Sequence, residues 1–472
     1  MKQLENQQKN TEMKKACEKT NARKNKTSAP GSMTEGSPVK SMVTFAIPMI
    51  LGNLFQQLYN IVDSVIVGRM VGADALAAVG ASTSITMLFV MFAVGTGIGC
   101  SVVISQLFGA GQIEKMKTAI STALLSILAL SMLLSVAGRL LSRGILSWMG
   151  TPADIFDQAE TYLNIYFYGF FLLFLYNAFS AVFNALGDSK KPLYFLFFSS
   201  ALNIGLDLLF VGKFGWGVAG AAWATLIAQA VSAVLSFSVL FWKLKNMESG
   251  YYAKYDVGLL GNMTKVAIPT IIQQSMVSIG MLLIQSVVNR FGSVFLAGYT
   301  AAVKIDGIAI VPMVNTGNAV STFVAQNMGA GKPQRAKQGY HIGLVMAMGI
   351  GLLIGVLLHF FGDTCVSAFM DTSTDAQAIA VGAQYIGVVS MFYFVMGAMN
   401  VTSSVLRGAG DMGWFMSISL VNLFIRVALT YALADVTSGM IILWASPIGW
   451  MVGLMIALFR YKQGRWKEIR LI

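Results

Sequence analysis

The sequence predicts an all-α integral membrane protein, with twelve transmembrane helices arranged as two pseudo-symmetric six-helix lobes. Three observations carry this. Of 472 residues, 56% are hydrophobic and only 11% charged, with a mean hydropathy of +0.67; an ordinary soluble domain has about 25% charged residues. The apolar residues come in runs of helical length, such as 118–137 and 342–361, rather than in the two-residue alternation of a membrane barrel. The chain also repeats itself about halfway along.

Taken in order, the first half supplies runs at approximately 40–68, 75–107, 117–147, 155–185, 192–212 and 217–243. The second half supplies 264–290, 295–327, 336–368, 376–406, 413–434 and 438–461. Many exceed the ~20 residues that cross the hydrocarbon core, which implies tilt, bends or extensions beyond it. Residues 1–38 are polar and charged and lack an apolar signal-peptide core, so they are expected to be a disordered basic tail. The expected division is therefore a 1–38 tail, a 39–245 lobe, a 246–262 linker, a 263–463 lobe and a basic 464–472 tail.

The net charge of +12 is placed as a topology signal, not as a nucleic-acid surface. With the N-terminus inside, the external loops hold only Arg69, Arg139, Arg143, Lys213 and Arg290 of the 33 basic residues. Lys304 and Arg426 fall inside spans, and all the others lie on the cytoplasmic side. Asp154, Asp157, Glu160, Asp363, Asp371, Asp375 and Asp435 are external. This bias predicts both termini in the cytoplasm. Cys17, Cys100, Cys365, His341 and His359 match no disulfide framework or metal-ligand spacing.

The repeat has a spacing of 219–223 residues. Ala46-Ile47-Pro48 returns as Ala267-Ile268-Pro269, and Gln106…Gly109-Ala110-Gly111 returns as Gln326…Gly329-Ala330-Gly331. Gly187-Asp188 maps to Gly410-Asp411, and Asn203 to Asn422. Six spans per repeat place the lobes about an axis along the membrane normal, enclosing a cleft of the kind transporters use. Duplication without a transport path is the competing reading.

Asp63, Asp207, Lys304, Asp306 and Arg426 are the charged residues well within predicted spans, where each costs at least ~2.5–3.5 kcal/mol. Asn203 lies one turn before Asp207, on the same helix face. Gln56, Tyr59, Asn60 and Asp63 form a polar stripe on the first span. Thr225 lies on the sixth span, among small residues suited to close packing. Two carboxylates with amide and hydroxyl oxygens suit a proton or a bare Na⁺; the competing reading leaves Asp63 facing water at a helix end. The position 219 residues after Asp207 is Arg426, so the repeat reverses its charge there. Gln274, Ser278 and Gln285 share a face of the seventh span, and Asn315, Asn318 and Thr322 lie on the eighth. With 28 Met and 30 Phe, such a lining suits bulky, partly apolar ligands. Pro48 and Pro269 occupy matching positions where a helix can bend.

These residues carry a resemblance. AIPMILGNLFQQLYNIVDSVIVGRMVGADALAAVG, QLFGAG, NALGD, NIGLD and GVAGAAWAT, then AIP, LAGYTAAVKI, VAQNMGAG and LRGAGD, follow in order over roughly residues 40–460. In this the chain resembles the multidrug and toxic compound extrusion (MATE) family. The resemblance implies an antiporter of the plasma membrane, exporting organic cations or drugs in exchange for inward H⁺ or Na⁺. It implies no cofactor, and a monomer is expected. It assigns a cation-coupling site, able to take Na⁺, to Asp63, Asn203, Asp207 and Thr225, and a bending proline to Pro48. Spans seven, ten and eleven hold no Asp or Glu, so the acidic C-lobe cation site of some members is expected to be absent. The main alternative, a flippase for lipid-linked oligosaccharide precursors, calls for a strongly cationic cavity, and only Lys304 and Arg426 could supply it. A channel or receptor is a second alternative. No nucleophile–base pair or phosphate loop points to an enzyme.

Overall fold

A computed structural model describes residues 32–370 and 375–472. Residues 1–31, with Cys17, and Asp371 lie outside the described residues. The chain is helical throughout, with no strand among the described residues. In chain order the helices are α1 Pro38–Met70, α2 Ala73–Gly109, α3 Ile113–Trp148, α4 Ala153–Tyr168, α5 Phe170–Ala185, α6 Lys190–Asp207 and α7 Gly217–Lys245. The second half follows with α8 Val257–Val288, α9 Gly292–Ala309, α10 Val311–Gly329, α11 Pro333–Ser367, α12 Ala376–Ser390, α13 Tyr393–Ala409, α14 Met412–Leu433 and α15 Met440–Gln463.

Twelve spans result because three of them are made of two helices each. The pairs α4–α5 and α12–α13 both bend by 51°, at corresponding places in the repeat. At the first bend Gly169 is required sterically, because a Cβ there would lie 2.5 Å from the Leu226 side chain. The stretch predicted as one span over 295–327 divides at Ile310 into α9 and α10, and α10 begins with Pro312 in its first turn. On the fifth span α6 passes into a π-helical turn, Leu208–Lys213. By contrast α1 and α8 run uninterrupted through Pro48 and Pro269.

The duplicated Gly-Asp pairs have parallel structural roles. Asp188 pairs with Lys243 on α7 at 2.9 Å, and Asp411 pairs with Arg460 on α15 at 2.7 Å. Each ties the connection between the fourth and fifth spans of its lobe to that lobe's last helix. The second pair is the more buried, and it is expected to matter more. Asp411→Asn should therefore lower Tm further than Asp188→Asn, since an uncompensated buried charge costs about 3–5 kcal/mol and a partly solvated one much less.

The expectation of a loose N-terminal tail is corrected for its last residues. Met33 is 3% exposed; its N–H donates to Gln326 Oε1 at 2.8 Å and its carbonyl accepts from Asn327 Nδ2 and Arg335 Nε. Arg335 also donates to the Glu35 and Gly36 carbonyls, and Lys332 to that of Thr34. A strap thus fastens the start of α1, an N-lobe helix, to α10 and α11 of the other lobe. A polar sequence satisfies its backbone here because charged donors on a neighbouring helix reach it. Hydrogen bonds to a charged donor are worth about 1.5–3 kcal/mol each. Arg335→Ala is accordingly expected to speed amide hydrogen exchange over residues 33–37 by about tenfold or more. Unchanged exchange would mean that the Met33 and Lys332 contacts hold the strap without Arg335. The basic C-terminal segment also folds back: Trp466 is fully buried, and the Leu471 carbonyl accepts from Asn262 Nδ2 at 2.7 Å.

The lobes meet tightly at the face carrying both chain termini. Gly95 and Gly99 of α2 lie against Ile271 and Ala267 of α8. Deeper towards that face the two repeated Gln…Gly-Ala-Gly motifs cross. A Cβ at Gly109 would overlap the Gln326 carbonyl oxygen, and one at Gly329 would overlap that of Gln106. The side chains complete the exchange: Gln326 Nε2 donates to the Ala185 carbonyl at 2.8 Å and Gln106 Nε2 to that of Gly408 at 3.2 Å. The motif that revealed the duplication is thus the seam between its copies.

Candidate functional site

In the first lobe, α1, α6 and α7 converge on one buried polar cluster. Asn203 and Asp207, a turn apart on α6, are 1% and 0% exposed. The Asn203 amide is satisfied in one orientation only, because amide O and N are told apart by their partners. In it the nitrogen donates to Asp207 Oδ2 at 2.9 Å and meets Tyr59 Oη at 2.8 Å, and the oxygen accepts from the Thr225 N–H at 3.0 Å. Asp63 comes from α1, one turn beyond Tyr59. Its carboxyl lies within electrostatic reach of that of Asp207. The Oδ1 atoms of both are buried without a hydrogen-bond partner. Paired acids with orphaned oxygens, beside hydroxyl and amide groups, are a donor set for a proton or a small hard cation. Among the described residues no group of three His, Cys, Asp or Glu forms a metal cluster.

Asp63, Tyr59, Asn203, Asp207 and Thr225, identified from separate stretches of sequence, are therefore brought together. Tyr162 of α4 borders them, within electrostatic reach of both acids. It was missed, and its only signal was an aromatic-rich stretch that reads equally well as core. The end of α6 is positioned by its π-turn, a departure from α geometry that recurs at functional sites.

The other candidates distribute more widely. Gln56 and Asn60 bond to each other along α1 at 3.3 Å. Gln274 of α8 reaches across the lobes to Met91 Sδ at 3.6 Å, and Ser278 turns back onto its own helix. Gln285, near the far end of α8, bonds to Asn289 and stands apart from them. Asn315 accepts from Asn53 Nδ2 at 2.9 Å, which joins α10 to α1 across the interface. Asn318 accepts from Arg407 Nη2 at 2.7 Å. Arg407, grouped with the cytoplasmic charges from sequence, is in fact buried; its Nε donates to Ser321 Oγ at 3.2 Å.

A second cluster lies in the other lobe. Asp306 Oδ1 accepts from Tyr393 Oη at 2.8 Å, and Arg426 is within electrostatic reach of Asp306, Tyr299 and Tyr385. Lys304, two residues from Asp306, takes the other side of α9 and lines a groove of about 350 Å³ with Thr300, Phe369 and Met370. Successive pairs two apart on a helix do not face each other.

Twelve spans in two duplicated lobes, with buried ionisable clusters in both, define a polytopic membrane transporter. The chain belongs to the MATE family: the MatE profile matches residues 48–209 and 269–432, one stretch in each lobe. Among relatives, the probable multidrug resistance protein YpnP of Bacillus subtilis is 32% identical over 445 residues, covering 93% of this chain and 98% of its own. The FAD transporter of Shewanella oneidensis is 25% identical over 427 residues, covering 88% and 90%. Among solved structures, a MOP superfamily transporter from Pyrococcus furiosus superposes with a TM-score of 0.86 at 23% identity, over 93% of this chain and 99% of that one. A MATE transporter in a straight conformation gives 0.85 at the same identity and coverage. These likenesses establish the fold.

Proposed function

We propose that this protein exports amphipathic organic compounds, cations among them, by antiport against inward H⁺ or Na⁺. Its setting is the plasma membrane, with both termini cytoplasmic, and a single chain carries the cycle. The observation that carries the reading is the Asp63–Asp207 pair, with an unpartnered oxygen on each acid. A coupling ion needs such a site: stable when occupied, costly when left doubly charged. Relatives named as multidrug resistance proteins support the export role.

Coupling would run through α1. That helix carries Tyr59 and Asp63 into the acid site and Asn53 to Asn315 of the other lobe. Ion binding at Asp63 therefore biases the same element that bridges the lobes, with Pro48 as the bending point. The closed terminal face is one state of an alternating-access cycle, and the crossed Gln…Gly-Ala-Gly motifs are its gate. Each net inward charge supplies ~2.3 kcal/mol per 100 mV, enough for an approximately 40-fold gradient at ~1.4 kcal/mol per tenfold.

The test is ethidium export from proteoliposomes under an imposed pH gradient, an imposed Na⁺ gradient, or neither. Export driven by one gradient is expected and names the ion. Export indifferent to both, or current without export, would sink the antiport reading.

A further inference from the structure

Arg426 holds a guanidinium inside the second lobe that the protein itself does not use. Its side chain makes no hydrogen bond and no ion pair among the described residues, and its Nε is buried with no acceptor. The group is not a stray cation turned towards lipid. Asp306 and Tyr299 of α9 and Tyr385 of α12 lie within its electrostatic reach. Gly449 of α15 packs so closely that a Cβ there would stand 2.7 Å from Arg426 Cγ. Asp306 offsets the charge without consuming the donors: it forms no ion pair with Arg426 within 4.0 Å, and its Oδ1 is engaged by Tyr393 Oη at 2.8 Å. Both charged residues keep some accessible surface.

A guanidinium presents five N–H donors in a planar fork that matches the two oxygens of a carboxylate. Within a membrane, unmade donors of this kind call for a partner. The duplication sharpens the point. The residue 219 positions earlier is Asp207 of the acid pair. The two lobes thus set opposite charges at matching positions, a cation receptor in one and unpaired N–H donors suited to an anion in the other. Lys304 takes no part, being on the other side of α9.

We propose that Arg426 is an anion-recognition anchor in the substrate path, taking the carboxylate of zwitterionic or anionic amphiphiles. Asp306, held by Tyr393, is its resting counter-ion. The inference rests on the export reading above and names a substrate class within it. Compounds bearing both a delocalised cation and a carboxylate fit this lobe; their esters lose the contact.

The test uses two dyes with the same cationic xanthene, rhodamine 110 with a free carboxylate and rhodamine 123, its methyl ester. Affinities are read by fluorescence anisotropy on the purified full chain in detergent, with empty micelles subtracted. Wild type is expected to bind the free acid at least about tenfold more tightly than the ester, as for a charge-assisted bidentate contact. Arg426→Gln should abolish that preference while leaving ester binding in place. Asp306→Asn, which frees the guanidinium from its counter-ion, should enlarge it, and this arm decides the matter if Arg426→Gln does not fold. Equal binding of both dyes by wild type, a preference that survives Arg426→Gln, or a preference unmoved by Asp306→Asn would each overturn the proposal. Equal binding would leave the export reading intact. Failure of wild type to bind either dye would overturn both.

Discussion

Asp207→Asn is expected to cut gradient-driven export by about 100-fold, towards the upper end of the 1–3 kcal/mol by which two ligand sites are usually coupled. The substitution is nearly isosteric. Its carboxamide oxygen can still accept from Asn203, which donates to Asp207 Oδ2 at 2.9 Å in the wild type. What disappears is the second of two adjacent negative charges, and with it the reason for a cation to enter the cluster. Fold and coupling can therefore be separated. Replacing one of two close, desolvated carboxylates by a neutral group relieves repulsion, so Tm should hold or rise while export falls. The check is the initial rate of ethidium export in proteoliposomes, paired with thermal unfolding of the same preparation. Full export by the variant would remove Asp207 from the coupling mechanism, and a collapse in Tm would give it a structural role instead.

The second large effect is expected at the seam between the lobes. Gly109 of α2 lies where any Cβ would overlap the Gln326 carbonyl oxygen, and Gly329 reciprocates at Gln106. Backbone faces backbone here, so no side chain can rotate away to make room. Overpacking costs about 1–3 kcal/mol even in cores that can adjust. This interface has an easier way out, because the lobes can part. Gly109→Ala is expected to displace the closed terminal face in favour of an open one, a shift of about 5- to 150-fold for that cost. Spin labels at Gln112 and Lys332, on a background with the three native cysteines replaced, would report it as a longer-distance population. Export should fall with it, because a gate that cannot reseal cannot alternate. An unchanged distance distribution would show that the crossing motifs are not the seal.

The sequence by itself determined the solvent, the span count and the duplication. Each rests on local or periodic chemistry: run length against bilayer thickness, charge exclusion from lipid, and polar or proline residues recurring at one spacing. The members of the acid cluster were legible for the same reason. Asp63, Asn203 and Asp207 are polar residues that a lipid-facing helix rejects, so their presence already required a reason. The direction each group faces was not legible, because it depends on neighbours far away in the chain. Arg407 resembles a loop charge until α10 brings Asn318 and Ser321 to it. Residues 32–37 look like the end of a tail until Arg335, about 300 residues later, supplies donors for their carbonyls. Lys304 and Asp306 are two residues apart yet part company, because a helix turns through roughly 200° between them. The 51° bend at Met391–Phe392 has no Gly or Pro at its break, and the bend at Gly169 is seated by the close approach of Leu226, which the local sequence does not announce. Which residues are costly in lipid is a property of the residues. Which of them find hydrogen-bond partners, and which, like Arg426, are left without one among the described residues, only the tertiary structure decided, because a hydrogen bond needs two groups and the chain places them hundreds of residues apart.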